Sequence, residues 1–226
     1  MEIEKRKFIH SLVFPCFFLM LIWFIEIIKH VFGLDFTFLG LYPLKIKGLI
    51  GIITAPLIHA NFSHLAANSV PLFILSVGIF YFYRDIAYKV FFFIYLITNI
   101  WVWFFAREAY HIGASGLVYG FASFLFFSGI IRKNAQLMAL SFVVVFLYGG
   151  LFWGIFPDFI PKENISWESH LMGAMAGVVI AIYFKEYGPQ RKKYEWEEDE
   201  EEEENDDDKN SSSGNMIDIK YFYNEK

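Results

Sequence analysis

The chain has 226 residues, of which 56% are hydrophobic and 21% aromatic, an excess over the apolar share of about 45–50% that is usual in soluble domains. Its net charge of −5 averages two unlike parts, because residues 1–194 carry a net charge of +6 and residues 195–226 one of −11. The composition predicts a membrane protein with an acidic tail. It excludes a nucleic-acid partner, since no basic face remains, and a disulfide-stapled domain, since Cys16 is the single cysteine.

Six stretches are predicted as membrane-spanning helices, because about 20 apolar residues cross the roughly 30 Å hydrocarbon layer of a bilayer. In chain order they are 8–28, 64–82, 86–105, 115–132, 135–156 and 169–185. Residues 34–60 are predicted as an interfacial loop with short helical pieces, since Pro56 and the polar residues near Asn61 interrupt the apolar pattern. The expected fold class is an all-α, polytopic membrane protein with a bundle of six helices.

The distribution of basic residues predicts the orientation of this bundle. With the N-terminus in the cytoplasm, the inside segments carry 11 Lys and Arg residues and the outside segments 5. Both termini are therefore expected in the cytoplasm, and spans two, four and six enter the membrane from its outer face. Residues 1–188 are predicted as the membrane domain. Residues 189–226 are predicted as a solvated cytoplasmic tail, because their acidic composition cannot bury enough apolar surface to fold.

Polar side chains cluster at the outer starts of these three spans, and polar groups within spans are functional candidates because they are costly in lipid. They are His59, His64 and Asn68 near span two, Ser115 and Tyr119 on span four, and His170 on span six. His64 and Asn68 are four residues apart, as are Ser115 and Tyr119, so each pair shares one face of a helix. All six residues are expected at the same depth.

Small residues predict that spans four and six pack closely, because helix backbones approach one another at such stripes in membranes. Gly116 and Gly120 follow Ser115 on span four, and Gly173 and Gly177 follow His170 on span six. Pressing the two stripes together would bring the Ser115 hydroxyl within hydrogen-bonding reach of His170.

This pattern favours nucleophilic catalysis, in which a base activates a serine hydroxyl that is otherwise a weak nucleophile. We assign Ser115 as the nucleophile and His170 as the general base. Asn68, His64 and the Ser115 N–H group are expected to donate to the oxyanion. Glu168 lies on a different helical face from His170, so we expect a Ser–His dyad without the carboxylate of a triad, with the Tyr119 ring stacked on the imidazole.

The motifs His59-x4-His64-x3-Asn68, Gly113-Ala114-Ser115-Gly116 with Tyr119, and His170-x2-Gly173-x3-Gly177 together resemble the rhomboid family of intramembrane serine proteases. The resemblance covers roughly residues 50–185. It implies the six-span bacterial rhomboid fold in the plasma membrane, the catalytic roles assigned above, and a structural role for His59. It also implies that the substrates are transmembrane proteins cleaved near the outer face. Span five and the loop 157–168 would form the gate and cap.

One departure concerns the first external loop, where many rhomboids carry a Trp-Arg pair that is absent from residues 41–47. This departure questions the support of that loop, while the chemistry is unaffected.

Other interpretations concern single residues of this pattern. Ser115 could be a helix-packing residue, Asn68 a cross-helix hydrogen-bonding group, and His59, His64 and His170 a metal site. His59 and His64 are five positions apart, a separation that would turn the two rings apart on a helix, so no metal and no cofactor are expected. His10, His30 and His111 have no partner in the pattern and are expected at the interface.

Three other classes of protein compete with a protease. A Gly-x-Ser-x-Gly esterase is rejected because Leu117 replaces the last glycine. A channel or transporter would need polar groups through the full membrane depth. A catalytically silent rhomboid-like protein that binds or escorts membrane spans is the alternative, and loss of Ser115 or His170 would identify it.

Overall fold

Seven α-helices dominate the computed structural model, which describes residues 2–147 and 166–189. They are α1 Glu2–Val31, α2 Gly51–Thr54, α3 Phe62–Phe82, α4 Ala87–Phe105, α5 Ser115–Ile131, α6 Ala135–Leu147 and α7 Trp167–Tyr183. Short 3₁₀ turns occupy Thr37–Leu39, Ile46–Gly48 and Ala55–Leu57. Within these ranges there is no β-strand, so the described chain is all-α as predicted.

Three of the helices, α1, α3 and α4, are long and apolar enough to cross a membrane by length and composition. Helices α5 and α7 have 17 residues each, which at 1.5 Å per residue gives a length of about 26 Å. The predicted fifth span is described only as far as Leu147, and the predicted cap loop 157–168 only from 166. The tail beyond residue 189 lies outside the described residues. Six spans therefore remain a prediction.

Side-chain caps fix the starts of the two helices that carry the predicted histidines. Asn61 precedes α3, and its side-chain oxygen accepts from the His64 N–H at 2.8 Å. Ser166 precedes α7, and its hydroxyl oxygen accepts from the Ser169 N–H at 3.4 Å. Each cap satisfies a backbone donor that the first turn of a helix leaves without a partner.

An aromatic core joins α1, α3 and α4 and accounts for part of the high phenylalanine content. The Phe14 ring of α1 lies 5.0 Å from the Phe80 ring of α3 and 4.8 Å from the Phe91 ring of α4, measured between centroids. Phe91 in turn contacts Phe121 of α5 at 5.2 Å. These three pairs, which are stacked, edge-to-face and tilted in that order, add to the dispersion energy that holds helices together in lipid.

Arg132 is buried and directly follows α5. It links helices at the end of the bundle where α3, α5 and α7 finish. Its guanidinium group donates to the Ser128 carbonyl and hydroxyl oxygens and to the carbonyl oxygens of Phe184 and Tyr187. It also lies 5.4 Å from the centroid of the Tyr83 ring. Arg132 thereby ties the last turn of α7 to α3 and α5, because it occupies carbonyls that the helix end leaves open.

Residues 34–60 form the predicted loop with short helical pieces, and backbone contacts support it without a Trp-Arg pair. Leu41 and His111 pair as an isolated antiparallel bridge, with N···O distances of 2.8 and 3.0 Å. The Thr54 hydroxyl donates to the Leu39 carbonyl at 2.5 Å. A Cβ at Gly51 would overlap the Leu41 backbone, so only glycine permits this approach.

Candidate active site

The Ser115 hydroxyl and the His170 imidazole lie within hydrogen-bonding distance, with 2.9 Å between Ser115 Oγ and His170 Nε2. Ser115 is the first residue of α5, and His170 lies in the first turn of α7, so both occupy the same end of neighbouring helices. His170 is buried and Ser115 partly buried. With Nε2 as the acceptor, the serine hydroxyl donates its proton along the line that a general base requires.

Glycine contacts explain why α5 and α7 approach so closely. A Cβ at Gly173 would overlap the carbonyl oxygen of Gly116, and a Cβ at Gly177 would overlap that of Gly120. The Ser123 hydroxyl adds a hydrogen bond of 2.7 Å to the Ala174 carbonyl across the same interface. The predicted stripes of small residues therefore face each other, backbone against backbone.

The Tyr119 ring stacks on the His170 imidazole. Their centroids are 4.2 Å apart and their planes differ by 11°. Tyr119 is one helical turn after Ser115, so α5 carries both the hydroxyl that contacts the imidazole and the ring that lies against it. The stack restricts rotation of the imidazole about χ2.

Glu168 lies two residues before His170 and is paired with Arg107 of the α4–α5 loop. The distance from Arg107 Nη1 to Glu168 Oε1 is 3.3 Å, and the Glu168 side chain is only 5% exposed. The carboxylate thus neutralises a guanidinium group of the loop before α5. This pairing agrees with the expectation that Glu168 points away from the imidazole.

Gly113 lies two residues before Ser115 in a backbone conformation that favours glycine, with φ at +108°. A Cβ there would lie 2.7 Å from His64 Cε1 and 3.8 Å from Asn68 Nδ2. The absence of a side chain lets the backbone before Ser115 approach both residues. His64 and Asn68 therefore lie beside the turn that leads into Ser115, whose hydroxyl contacts His170.

The Asn68 side chain supplies a buried hydrogen-bond donor beside this turn. Asn68 is buried, and its amide nitrogen has no hydrogen-bond partner among the described residues. A buried amide without a partner costs free energy, and such groups in folded proteins need an explanation. A developing negative charge on a substrate oxygen would supply the missing acceptor.

His59 supports the turn before Ser115 through a hydrogen bond. Its Nε2 atom accepts from the Ala114 N–H at 3.3 Å, and its ring lies edge-on to the His64 ring with 5.2 Å between centroids. The argument that a helix turns these two rings apart is wrong, because α3 begins only at Phe62 and His59 precedes it. Burial, with repulsion from His64 and Lys29, lowers the pKa of His59 to about 3, so its imidazole is neutral.

An ion pair on α1 holds the backbone at His59, and the sequence pattern did not identify it. Lys29 Nζ donates to the carbonyl oxygens of His59 and Ala60 and lies 2.7 Å from Glu26 Oε2. The side chains of Glu26 and Lys29 are 4% and 15% exposed. The last turn of α1 therefore fixes the start of α3.

The sequence predicts His111 at the interface without a partner, but its side chain is only 3% exposed and contacts two polar groups. Its Nδ1 atom lies 2.6 Å from the Ser166 hydroxyl, and its Nε2 atom lies 3.0 Å from the Arg107 carbonyl oxygen. Burial lowers the pKa of His111. No spacing rule links residues 111 and 166, so the sequence alone gave no signal for this contact.

A small polar pocket adjoins the first turn of α5 and the turn that precedes it. It is lined in part by Thr98, Asn99, Gly116 and Ser169. The Thr98 hydroxyl is buried and has no hydrogen-bond partner among the described residues. Polar groups therefore extend beyond the residues that the sequence singled out.

Comparison with known proteins gives a consistent result. The family model described as the Rhomboid domain matches residues 47–187. An uncharacterized protein of Mycobacterium tuberculosis strain H37Rv is 34% identical over 186 residues, covering 77% of this chain and 75% of the relative. An uncharacterized protein of Mycobacterium leprae is 31% identical over 188 residues, covering 77% and 71%.

A more distant relative, from Acanthamoeba polyphaga mimivirus, is named a rhomboid protein. It is 29% identical over 147 residues, which cover 60% of this chain and 75% of that protein. The matched domain and the three long apolar helices together indicate an integral membrane protein.

Proposed function

The chain belongs to the rhomboid family, and we propose that it is an intramembrane serine endopeptidase with Ser115 and His170 as its catalytic dyad. The observation that carries this proposal is the distance of 2.9 Å between Ser115 Oγ and His170 Nε2. Family membership alone would fit an inactive protein equally well. A hydroxyl and an imidazole in contact, at the end of two helices pressed together by glycines, favour chemistry over simple span binding.

In the first half of the reaction, Ser115 Oγ attacks the carbonyl carbon of the scissile peptide while His170 Nε2 takes the hydroxyl proton. The substrate oxygen gains the negative charge, and Asn68 Nδ2 donates to it. His64 and the Ser115 N–H group are the further donors, and the latter lies at the positive end of the α5 dipole. The C–N bond then breaks, the amine leaves with the proton from His170, and an acyl-enzyme remains on Ser115.

In the second half, a water molecule attacks the acyl carbon and gives its proton to His170 Nε2. The tetrahedral intermediate collapses, the carboxylic acid product leaves, and the proton returns to Ser115 Oγ. Tyr119 keeps the imidazole in one orientation through both halves, which is the task that a carboxylate performs in a triad. His59 and Gly113 support the turn on which Ser115 stands, and Gly116, Gly120, Gly173 and Gly177 allow the close packing of α5 and α7.

The substrates in this proposal are transmembrane proteins, cleaved in or near a membrane span. Both termini of the protease lie in the cytoplasm of a bacterial cell, and the dyad opens to the external side of the plasma membrane. The charge distribution supports this orientation, with 11 basic residues on the inner and 5 on the outer segments. A site near the surface also gives water access, which hydrolysis requires.

A serine-reactive phosphonate probe tests the proposal directly. The purified full chain in liposomes should be labelled by the probe and should cleave a model single-span substrate. Ser115→Ala should abolish both signals while the helix content by circular dichroism stays at the wild-type level. Equal labelling of wild type and Ser115→Ala would remove this serine as the nucleophile.

Ser141→Ala serves as the control, because Ser141 is a buried serine of α6 whose hydroxyl donates to the Leu137 carbonyl within its own helix, away from the dyad. It should retain labelling and cleavage. A wild-type chain that binds the model span but neither cleaves it nor takes up the probe would identify a catalytically silent rhomboid-like protein.

A further inference from the structure

The loop between α4 and α5 holds the first turn of α7 through two side-chain contacts. Arg107 pairs with Glu168 at 3.3 Å, and His111 Nδ1 lies 2.6 Å from the Ser166 hydroxyl. Glu168 and His111 are both buried. The same loop leads directly into Ser115, so it joins the start of one dyad helix to the start of the other.

The partners of His111 determine which of its two ring nitrogens donates and which accepts. A carbonyl oxygen only accepts, so the Nε2 atom at 3.0 Å from the Arg107 carbonyl carries the proton. In the neutral imidazole, Nδ1 is then the acceptor, and the Ser166 hydroxyl donates to it. The Ser166 oxygen lies 2.6 Å from the Ser169 hydroxyl and can accept from it. Each member of the chain Ser169–Ser166–His111 has a definite role.

Ser166 is also the residue from which the turn carrying His170 begins. Its carbonyl oxygen accepts from the His170 N–H at 3.4 Å, and its hydroxyl caps the helix at Ser169. The place of Ser166 therefore determines where the His170 side chain leaves the helix. The backbone of His111 is itself held by its pairing with Leu41, and this pairing fixes the position from which the imidazole extends.

We propose that His111 is a positioning residue, which holds Ser166 and thereby sets the distance between His170 and Ser115. The inference rests on the proposed protease function. His111 touches neither reacting atom and acts only through the first turn of α7. Displacing a catalytic group by about 1 Å can lower a rate a hundredfold, so a contact of this kind is sufficient to affect turnover.

The experiment compares purified full-length variants in liposomes. His111→Ala is expected to lower both the rate of phosphonate labelling of Ser115 and kcat by about tenfold to a hundredfold, with KM within about twofold of wild type. His111→Asn is expected to recover most of this loss, because Asn Oδ1 can replace Nδ1 as the acceptor for the Ser166 hydroxyl. A general loss of folding would not be reversed by so small a change.

A second pair of variants tests the same contact from the other side. Ser166→Ala removes both the contact with His111 and the cap at Ser169, so it should lower labelling at least to the level of His111→Ala. Ser166→Thr keeps the hydroxyl and should stay near wild type. Adding His111→Ala to Ser166→Ala should cause no further loss, since the contact with His111 is already absent from the Ser166→Ala variant. Tyr83→Phe is the control: it removes a buried hydrogen bond to Ser128 at 2.5 Å and should leave labelling unchanged.

Amide hydrogen exchange at residues 166–170 separates the positioning role of His111 from the protease function, because it can be measured whether or not the chain cleaves a substrate. Exchange there should be faster in His111→Ala than in wild type and unchanged in His111→Asn. Exchange that does not respond to His111→Ala, or equal losses of labelling in the Ala and Asn variants, would overturn the positioning role. A wild-type chain that takes up no probe would overturn the protease function instead.

Discussion

The imidazole of His170 lies almost parallel to the ring of Tyr119, with 4.2 Å between the ring centroids and 11° between the planes. The same imidazole is 2.9 Å from Ser115 Oγ, and Ser115 precedes Tyr119 by one turn of α5. One helix therefore supplies both the group that His170 would deprotonate and the surface that limits the rotation of its ring.

We expect Tyr119→Ala to lower kcat about tenfold, because an aromatic stack is worth about 0.5–1.5 kcal/mol beyond its buried area. Tyr119→Phe keeps the ring and should remain within about threefold of wild type. Cleavage of a model single-span substrate, measured under saturating conditions, checks both values. If Phe were as damaging as Ala, the hydroxyl group and not the stack would be responsible.

Ser115 and His170 should behave as one unit. Each alanine variant is expected to lose at least about a thousandfold in kcat, and the double variant should be no slower than the worse single variant. A double-mutant cycle on cleavage rates checks this. Additive losses would mean that the two side chains act in separate steps, contrary to proton transfer between them.

We expect Asn68→Ala to lower kcat by about tenfold to a hundredfold, a smaller loss than that of the dyad variants. In the proposed mechanism Asn68 Nδ2 is one of three oxyanion donors. Removing a single donor typically costs about 10²–10³ in rate, and the two donors that remain place the expected loss at or below the lower end of this range. Ser69→Ala is a suitable control, because Ser69 is the next residue on α3 and is also buried. Its hydroxyl donates to the Leu65 carbonyl and accepts from Trp23 Nε1 of α1. Comparable losses in the two variants would indicate a packing effect.

Substituting Gly173 should separate α5 from α7. A Cβ at this position would overlap the Gly116 carbonyl oxygen, which is backbone and cannot rotate away. Gly173→Val is therefore expected to reduce cleavage at least tenfold and to lower the thermal midpoint. Met175→Val introduces the same side chain on an exposed face of the helix, 47% exposed, and should have little effect. Normal turnover of Gly173→Val would contradict the packing account.

The stability of the fold should decrease in mild acid because of His59. Its pKa is about 3 in the folded chain and 6.5 in the unfolded chain. Below pH 6.5 the unfolded state binds a proton that the folded state does not, so stability present above that pH falls as the pH decreases. Between pH 8 and pH 5 this group alone contributes a loss of about 2 kcal/mol.

The thermal midpoint measured at both pH values checks this prediction. His59→Gln retains an acceptor near the Nε2 position for the Ala114 N–H but does not titrate, so its midpoint should shift less between pH 8 and pH 5. An equal shift in both proteins would assign the acid sensitivity to other groups.

Much of the site was predictable because its residues obey local rules. Helical spacing relates His64 to Asn68 and Ser115 to Tyr119, and small residues at intervals of four mark the faces along which α5 and α7 meet. The long apolar stretches likewise predicted α1, α3 and α4. Their ends were less accurate: α1 runs from Glu2 to Val31 and not from 8 to 28, because charged residues that pair along a helix extend it past its apolar part.

The remaining contacts depend on three-dimensional structure that no periodicity encodes. The partners Arg107 and Glu168 are far apart in sequence and come from a loop and a helix, as do His111 and Ser166. The contact between the His59 and His64 rings was mispredicted, because it depends on where α3 begins. Residues that share a helical face can be identified from their spacing, whereas pairs that involve a loop can be recognised only once the conformation of the loop is known.

The buried amide nitrogen of Asn68 has no hydrogen-bond partner among residues 2–147 and 166–189, so an acceptor bound beside it would satisfy this donor. A neutral carbonyl oxygen accepts a weaker hydrogen bond from this amide than an oxygen that bears a full negative charge. Molecules that become tetrahedral and anionic on reaching Ser115, such as peptide aldehydes and boronic acids, should therefore bind more tightly than peptides of the same sequence that stay planar.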